Sequence, residues 1–233
     1  MIQWQKIITL ILFLLLTRAV LWVAAKVMLL AVFKTTIEEQ KKIKDGKCTV
    51  SLFTFSTNVD VDFIGRDVSE VNEIDYKTSG LTAMNDGIGI AIDRVGEWLD
   101  SMKEEDKPSQ TMVVIMTDGY ENASKEYSLE KVKEMIKHQE EKYSWKFVYL
   151  GSDLTSAKDS NSLGIDTTMY YSKKDTKDVF YHLTTSASMY RNESDTSKAF
   201  ATMDCYLNDI SESITRDYET SNSIDLGRKK KSK

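Results

Sequence analysis

The stretch VVIMTDGYENAS, residues Val113–Ser124, joins an apolar run to a polar turn. With Thr111 and Met112 the run has the length of a strand, and its unbroken apolar character is typical of a strand covered on both faces. Such strands lie inside parallel sheets, whose ligand sites are found at the carboxyl ends of the strands. Asp118 follows the run directly, so its position alone makes it a candidate site residue.

Strand-like and helix-like patterns alternate along the rest of the chain. Strands are predicted from β-branched, aromatic or alternating residues at 47–57, 58–64, 145–152 and 167–172, the second of these as a hairpin partner or edge strand. Helices are predicted within 78–103, 128–142, 154–164, 177–192 and 197–215, with Ser128 as a cap. This alternation predicts a Rossmann-like α/β fold, a doubly wound and mostly parallel sheet with helices on both faces.

Composition excludes several classes of protein. The chain has 233 residues, of which 41% are hydrophobic, and a net charge of -5, so general nucleic-acid binding is not expected. Its two cysteines cannot form a disulfide framework, which favours a reducing compartment such as the cytoplasm. The basic tail "RKKKSK" at Arg228–Lys233 is interpreted as a solvated terminus.

Motif searches give no catalytic residue. The sequence lacks a dinucleotide-binding glycine motif, a phosphate-binding loop and a Gly-x-Ser-x-Gly elbow, and its two histidines have no ligand-like spacing. Oxygen chemistry remains, because Asp118 follows one strand and Thr78, Ser79 and Thr82 precede a helix. Hydroxyls and carboxylates suit a hard cation such as Mg²⁺.

Two glycines fit this interpretation. Gly119 allows a sharp turn after Asp118, and Gly80 lets the backbone approach an ion. The competing interpretations are structural, with Thr82 as a helix cap and Asp118 as a turn former.

The segments TSGLTAMNDGI, VVIMTDGYENAS and SWKFVYLGSD together resemble the von Willebrand factor type A (VWA) domain, in its small bacterial and phage form. The likeness covers roughly residues 37–165. The resemblance implies a metal-ion-dependent adhesion site, in which Thr82 binds a divalent ion (Mg²⁺, Mn²⁺ or Ca²⁺) directly and Asp118 binds it through water. A carboxylate of a protein partner then completes the coordination.

One part of that site is missing. The family has an Asp-x-Ser-x-Ser motif after the first strand, whereas this chain has an almost wholly apolar run from Ile7 to Phe33. We therefore divide the chain into an apolar segment 1–33, a VWA-like domain 34–216 and a basic tail 217–233. Three hypotheses explain the apolar segment.

The first hypothesis is a membrane anchor through residues 7–33, since the run is long enough to span a bilayer and lysines follow it. Arg18 and Lys26 within the run count against this hypothesis.

The second hypothesis is that the run forms the first strand and the first helix of the domain. Ile7–Leu16 would fill the central strand, Thr17 and Arg18 would occupy the metal loop, and Ala19–Lys44 would form the helix. An arginine there would oppose a divalent ion, so the metal site would be degenerate.

The third hypothesis is a frameshift. Reading "LTRAVLWV" (Leu16–Val23) from the last base of each codon permits codons for Asp-Thr-Ser-Gly-Ser-Met-Gly, the metal motif of the family. Residues 1 to about 33 would then be a shifted translation of a normal first strand. The raw gene sequence tests this, because an insertion or deletion near the Phe33 codon must then be found relative to intact relatives.

The expected function is a non-enzymatic protein-interaction module with an incomplete metal site. The alternatives are a membrane-tethered scaffold with a dead metal site and a metal-dependent phosphatase that uses Asp118. The phosphatase is the weaker hypothesis, because the sequence shows neither an acidic pair at a second strand end nor a general base.

Overall fold

A computed structural model describes residues 7–15, 23–44, 46–72, 74, 80–117, 120–151, 156–170, 176–193, 198, 201–202 and 205–207. The strands are β1 (Ile7–Leu15), β2 (Lys47–Phe55), β3 (Val59–Asp67), β4 (Gln110–Thr117), β5 (Trp145–Gly151) and β6 (Thr167–Tyr170). The helices are α1 (Val23–Lys42), α2 (Met84–Asp100), α3 (Leu129–Tyr143), α4 (Ser156–Leu163) and α5 (Thr176–Asn192), with short 3₁₀ turns at Val68–Glu70 and Glu104–Asp106.

The strands form one sheet in the order β3-β2-β1-β4-β5-β6. All neighbouring pairs are parallel except β2 and β3, which form an antiparallel hairpin. The chain leaves β1 towards β2 on one side and later returns to pair β4 with the other side of β1. This reversal places the topological switch point at the carboxyl ends of β1 and β4, where open α/β sheets bind ligands. The predicted Rossmann-like fold class is confirmed.

The apolar segment supplies the central strand. Ile7–Leu15 pairs with β2 over its whole length and with β4 from Ile8 to Leu14. Val23–Lys42 forms α1, so these residues lie where the second hypothesis puts them. Thr17 and Arg18 lie outside the described residues, and the frameshift hypothesis, which concerns the gene, stays a prediction. Within the described ranges, none of the helices has the length and apolarity needed to cross a membrane.

Strand β4 is buried on both faces, as its sequence predicts. Every residue from Gln110 to Thr117 is buried. Met112, Val114 and Met116 belong to the core on the α1 and α5 side of the sheet. Val113 and Ile115 belong to the core on the α2 and α3 side. Because both faces of β4 are packed, the position of the strand in the sheet is fixed. This position sets the point at which the polar segment after Thr117 leaves the sheet.

The hairpin partner predicted at 58–64 is the edge strand β3. Its register against β2 shifts twice, between Val50 and Phe53. Gly65, with φ of +66°, lies at this irregularity, and its N–H donates to Ser51 Oγ at 2.9 Å. The hairpin leaves Ser56 and Thr57 at the carboxyl end of β2, beside the start of α2.

The predicted cap of α3 is confirmed, because the Ser128 side chain accepts a hydrogen bond from the Lys131 N–H at 3.2 Å.

Candidate metal centre

Thr82 lies at the start of α2 and is only 1% exposed. The helix begins at Met84 with Ala83 as its N-cap, and no side chain of that cap bonds to the helix. The interpretation of Thr82 as a helix cap is therefore wrong. Its burial is explained by two segments, one after β2 and one after β4, which form hydrogen bonds with the backbone of residues 81–83.

The segment after β2 accepts hydrogen bonds from the two residues that flank Thr82. Ser56 O accepts a hydrogen bond from the Ala83 N–H at 2.7 Å, and Thr57 Oγ1 accepts one from the Leu81 N–H at 3.2 Å. Gly80 has φ of +83°, and a Cβ built there would lie 2.1 Å from Thr57 Oγ1. The glycine is thus required by the close approach of Thr57, whether or not an ion is present.

The segment after β4 forms hydrogen bonds with Thr82 itself. The Thr82 N–H donates to Asn122 Oδ1 at 2.8 Å, and the Asn122 N–H donates to the Thr82 carbonyl at 3.0 Å. Both backbone polar groups of Thr82 are therefore satisfied by one residue. No described residue forms a hydrogen bond with its hydroxyl, which remains available to a ligand.

Glu121 caps α2 from outside the helix. Its Oε2 accepts from the Asn85 N–H at 2.8 Å and from Ser124 Oγ at 2.7 Å. Its Oε1 accepts from the backbone N–H groups of Ala123 and Ser124 at 2.9 and 2.8 Å. The Asp86 N–H donates to Ser124 Oγ at 3.0 Å. Two of the N–H groups that a helix start leaves without partners are thus satisfied by the polar segment after β4.

Asp86 completes this connection in the opposite direction. Its carboxylate accepts from the backbone N–H groups of Lys125, Glu126 and Tyr127 at 2.8, 2.9 and 2.8 Å. The side chain is buried, and its charge lies in the first turn of α2, where the helix dipole stabilises an anion. The segment 121–127 and the start of α2 therefore form one hydrogen-bonded unit.

Tyr127 closes the unit on its outer side. Its hydroxyl donates to Asp93 Oδ2 at 2.6 Å. Burial of the ring, and next the hydrogen bond to Asp93, raise the pKa of Tyr127 to about 12. A Cβ built on Gly89 would lie 2.3 Å from the ring, so glycine at this position lets Tyr127 pack directly on the α2 backbone.

No protein-family model matches the sequence, and no curated protein matches it. Solved structures do match. The PilB minor pilin from Streptococcus sanguinis has a TM-score of 0.55 and 13% identity, over 80% of this chain and 62% of that one. A von Willebrand factor type A protein from Catenulispora acidiphila has a TM-score of 0.51 and 11% identity, over 79% and 43%. Proximal thread matrix protein 1 from the mussel byssus has a TM-score of 0.51 and 16% identity, over 78% and 46%.

These matches decide the fold. The chain has a VWA-like fold. The identities of 11–16% carry no more than that, and the matched region spans less than two thirds of each of these chains.

Of the predicted site residues, Thr82 lies at the switch point, where it is bonded to Asn122 of the segment after β4. Strand β4 ends at Thr117, one residue before Asp118. Asp118, Gly119, Ser79 and Thr78 lie outside the described residues.

The donor groups that the structure describes fit part of a cation site. Thr82 offers a neutral hydroxyl oxygen, a suitable direct ligand for a hard ion. Asp86 and Glu121 do not fit as ligands, because their oxygens already accept hydrogen bonds from backbone and hydroxyl donors. Within the described ranges, no three His, Cys, Asp or Glu side chains come together as a metal cluster. Among the described residues, no carboxylate of this site is therefore left to hold an ion.

Sequence reasoning missed four residues of this centre: Asp86, Glu121, Asn122 and Ser124. A helix cap is usually found from a polar residue and a glutamate three positions apart in one segment. Here one partner of each pair is on α2 and the other is about 40 residues later, so no local pattern reveals the pairing. The one hint of this pairing in the sequence is the polar motif TDGYENAS, whose side chains need hydrogen-bond partners.

Proposed function

We propose that this chain is a non-enzymatic protein-interaction module, which binds an acidic side chain of a protein partner through a divalent cation at the switch point. Mg²⁺ is the preferred ion, since it is a hard cation that takes few protein ligands and keeps several waters. Thr82 would bind the ion directly and Asp118 would bind it through water. The ion would supply the positive charge that attracts the partner's carboxylate.

The observation that carries this proposal is the state of Thr82. Its backbone N–H and carbonyl are both bonded to Asn122, its neighbours are bonded to Ser56 and Thr57, and its hydroxyl has no described partner. The backbone hydrogen bonds on both sides give the hydroxyl oxygen a fixed position, from which it would bind an ion.

Residues 16–22 limit the proposal in the chain as written. "LTRAVLW" offers one hydroxyl, that of Thr17, and one cation, that of Arg18. We expect weak ion binding by this chain, and strong binding by a variant in which "LTRAVLW" is replaced by Asp-Thr-Ser-Gly-Ser-Met-Gly. That variant is called the restored chain below.

Calorimetric titration with MgCl₂ and MnCl₂ tests the proposal. The restored chain should bind either ion, the chain as written should bind much more weakly, and Asp118→Ala should weaken binding in the restored chain. No binding by either chain, or no effect of Asp118→Ala, would overturn the metal site. Hydrolysis of p-nitrophenyl phosphate that is lost in Asp118→Ala would instead favour the phosphatase.

A further inference from the structure

Two buried amide oxygens have no hydrogen-bond partner among the described residues, and they lie at opposite ends of the sheet. One is Asn85 Oδ1, in the first turn of α2. The other is Gln110 Oε1, at the first residue of β4. Asn85 is 6% exposed and Gln110 is 2% exposed. Each oxygen costs about 1–3 kcal/mol when left without a donor, so each needs an explanation such as a bound water or ion.

The position of Asn85 in α2 shows which side its side chain faces. Asn85, Gly89 and Ile92 are spaced four and three residues apart, so they form one stripe along the helix. Gly89 contacts the Tyr127 ring, so this stripe faces the segment 120–127 that follows β4. Gly87, on the opposite side of the helix, contacts Phe55 of β2. Asn85 thus lies on the side of α2 that faces the segment 120–127 rather than β2, one turn closer than Gly89 to the start of the helix.

The backbone of Asn85 is fixed by the same unit that fixes Thr82. Its N–H donates to Glu121, and the next residue, Asn122, holds both backbone groups of Thr82. The backbones of Asn85 and Thr82 are therefore held by the same segment after β4. Asn85 Oδ1 and the Thr82 hydroxyl both lack a described partner, and both oxygens can act as acceptors.

We propose that Asn85 is a further residue of the cation site, whose Oδ1 accepts a hydrogen bond from a water molecule carried by the ion that Thr82 binds. This inference rests on the proposed function. An amide oxygen suits this role, because water on Mg²⁺ is a strong donor and the ion retains several waters. Groups that orient a metal ligand in this way change metal affinity by about 10–100-fold when they are removed.

Leucine at position 85 gives a test that separates this role from a structural one. Asn85→Leu removes the buried oxygen and keeps a similar volume, so the ion-free protein should be at least as stable as the parent. The same change should weaken Mn²⁺ binding at least about 10-fold. Asn85→Asp keeps an acceptor oxygen and should retain binding. A purely structural Asn85 would give an unchanged Mn²⁺ affinity in Asn85→Leu.

Gln110→Met is the matched control. It also removes a buried amide oxygen without a partner, but at the amino end of β4, so Mn²⁺ affinity should stay the same. Free Mn²⁺ would be counted by electron paramagnetic resonance in titrations of the full chain and of the restored chain, with urea unfolding of every variant.

The outcomes separate the two proposals. Mn²⁺ binding that depends on Asp118 but not on Asn85 overturns this inference and leaves the proposed function standing. An equal loss of affinity in Asn85→Leu and Gln110→Met also overturns it, because the effect would then be one of general stability. Absence of binding in both chains overturns the inference and the proposed function together.

Discussion

Thr82 and Asn122 bind each other through two hydrogen bonds, one from the Thr82 N–H to Asn122 Oδ1 and one from the Asn122 N–H to the Thr82 carbonyl. Forty residues separate them in sequence. This pair connects the start of α2 to the segment after β4, so the hydroxyl of Thr82 is held at the switch point by protein alone.

Replacing Asn122 tests the strength of that connection. Asn122→Ala removes the acceptor of the Thr82 N–H and should lower the free energy of unfolding by about 1 kcal/mol. Asn122→Asp keeps an acceptor oxygen and should lose less. Urea unfolding followed by circular dichroism measures both, and equal losses in the two variants would contradict the role of Oδ1.

Asp86 should be more important for stability than its single charge suggests. Asp86→Asn leaves one acceptor oxygen and turns an N–H₂ donor towards backbone N–H groups, so the loss should be roughly 2–3 kcal/mol. Asp93→Asn is the control, because Asp93 is exposed and accepts from the Tyr127 hydroxyl. Its loss should be under about 1 kcal/mol. Equal losses at the two positions would show that the bonds to residues 125–127 do not stabilise the fold.

Two glycines of α2 should respond to alanine with opposite signs. A Cβ on Gly87 would lie 2.4 Å from the buried Phe55 ring, whereas a Cβ on Gly96 meets nothing within 4 Å. Gly96→Ala should stabilise the protein by about 0.5–1 kcal/mol, the ordinary helix propensity gain. Gly87→Ala should destabilise it, because crowding in a packed core costs about 1–3 kcal/mol. Thermal unfolding of the two variants measures the difference, and a stabilised Gly87→Ala would contradict the close contact with Phe55.

Tyr127 should make stability fall at high pH. Its pKa is raised from 10.0 to about 12 in the folded chain, so the folded state holds the proton more tightly than the unfolded state. This contribution is complete below pH 10 and is lost as the pH rises from 10 towards 12. Tyr127→Phe lacks it, so the gap in unfolding midpoint between parent and variant should narrow from pH 9 to pH 11. A difference in unfolding midpoint that does not change with pH would show that folding does not raise the pKa of Tyr127.

The fold could be predicted largely from residue patterns. The unbroken apolar run of β4 predicts a strand buried on both faces, and its full burial confirms this. The alternation in 58–64 predicts an edge strand, and β3 is one. The central strand was harder, because the apolar segment 7–33 fits a membrane helix as well as a strand followed by a helix. The strand pairing of Ile7–Leu15 depends on β2 and β4, which are distant in sequence.

The candidate site could be predicted only in part. Asp118 is predicted because it follows a strand, and the resemblance to the VWA domain adds Thr82. Both predictions depend only on position along the chain. Glu121, Asn122 and Asp86 could not be placed, because their partners are set by how α2 lies against β4. Asn85 has no sequence signal at all, and only the burial of its oxygen draws attention to it.

The most direct measurement is Mg²⁺ affinity in the restored chain with Thr82 changed to valine or serine. Thr82→Val keeps the shape and the backbone bonds to Asn122 but lacks the hydroxyl, and Thr82→Ser keeps the hydroxyl. The account predicts that valine lowers the affinity measured by calorimetry at least about 10-fold, that serine largely restores it, and that circular dichroism shows both variants folded. Equal Mg²⁺ affinity in the valine, serine and parent proteins would contradict the claim that Thr82 is held in place to bind a cation.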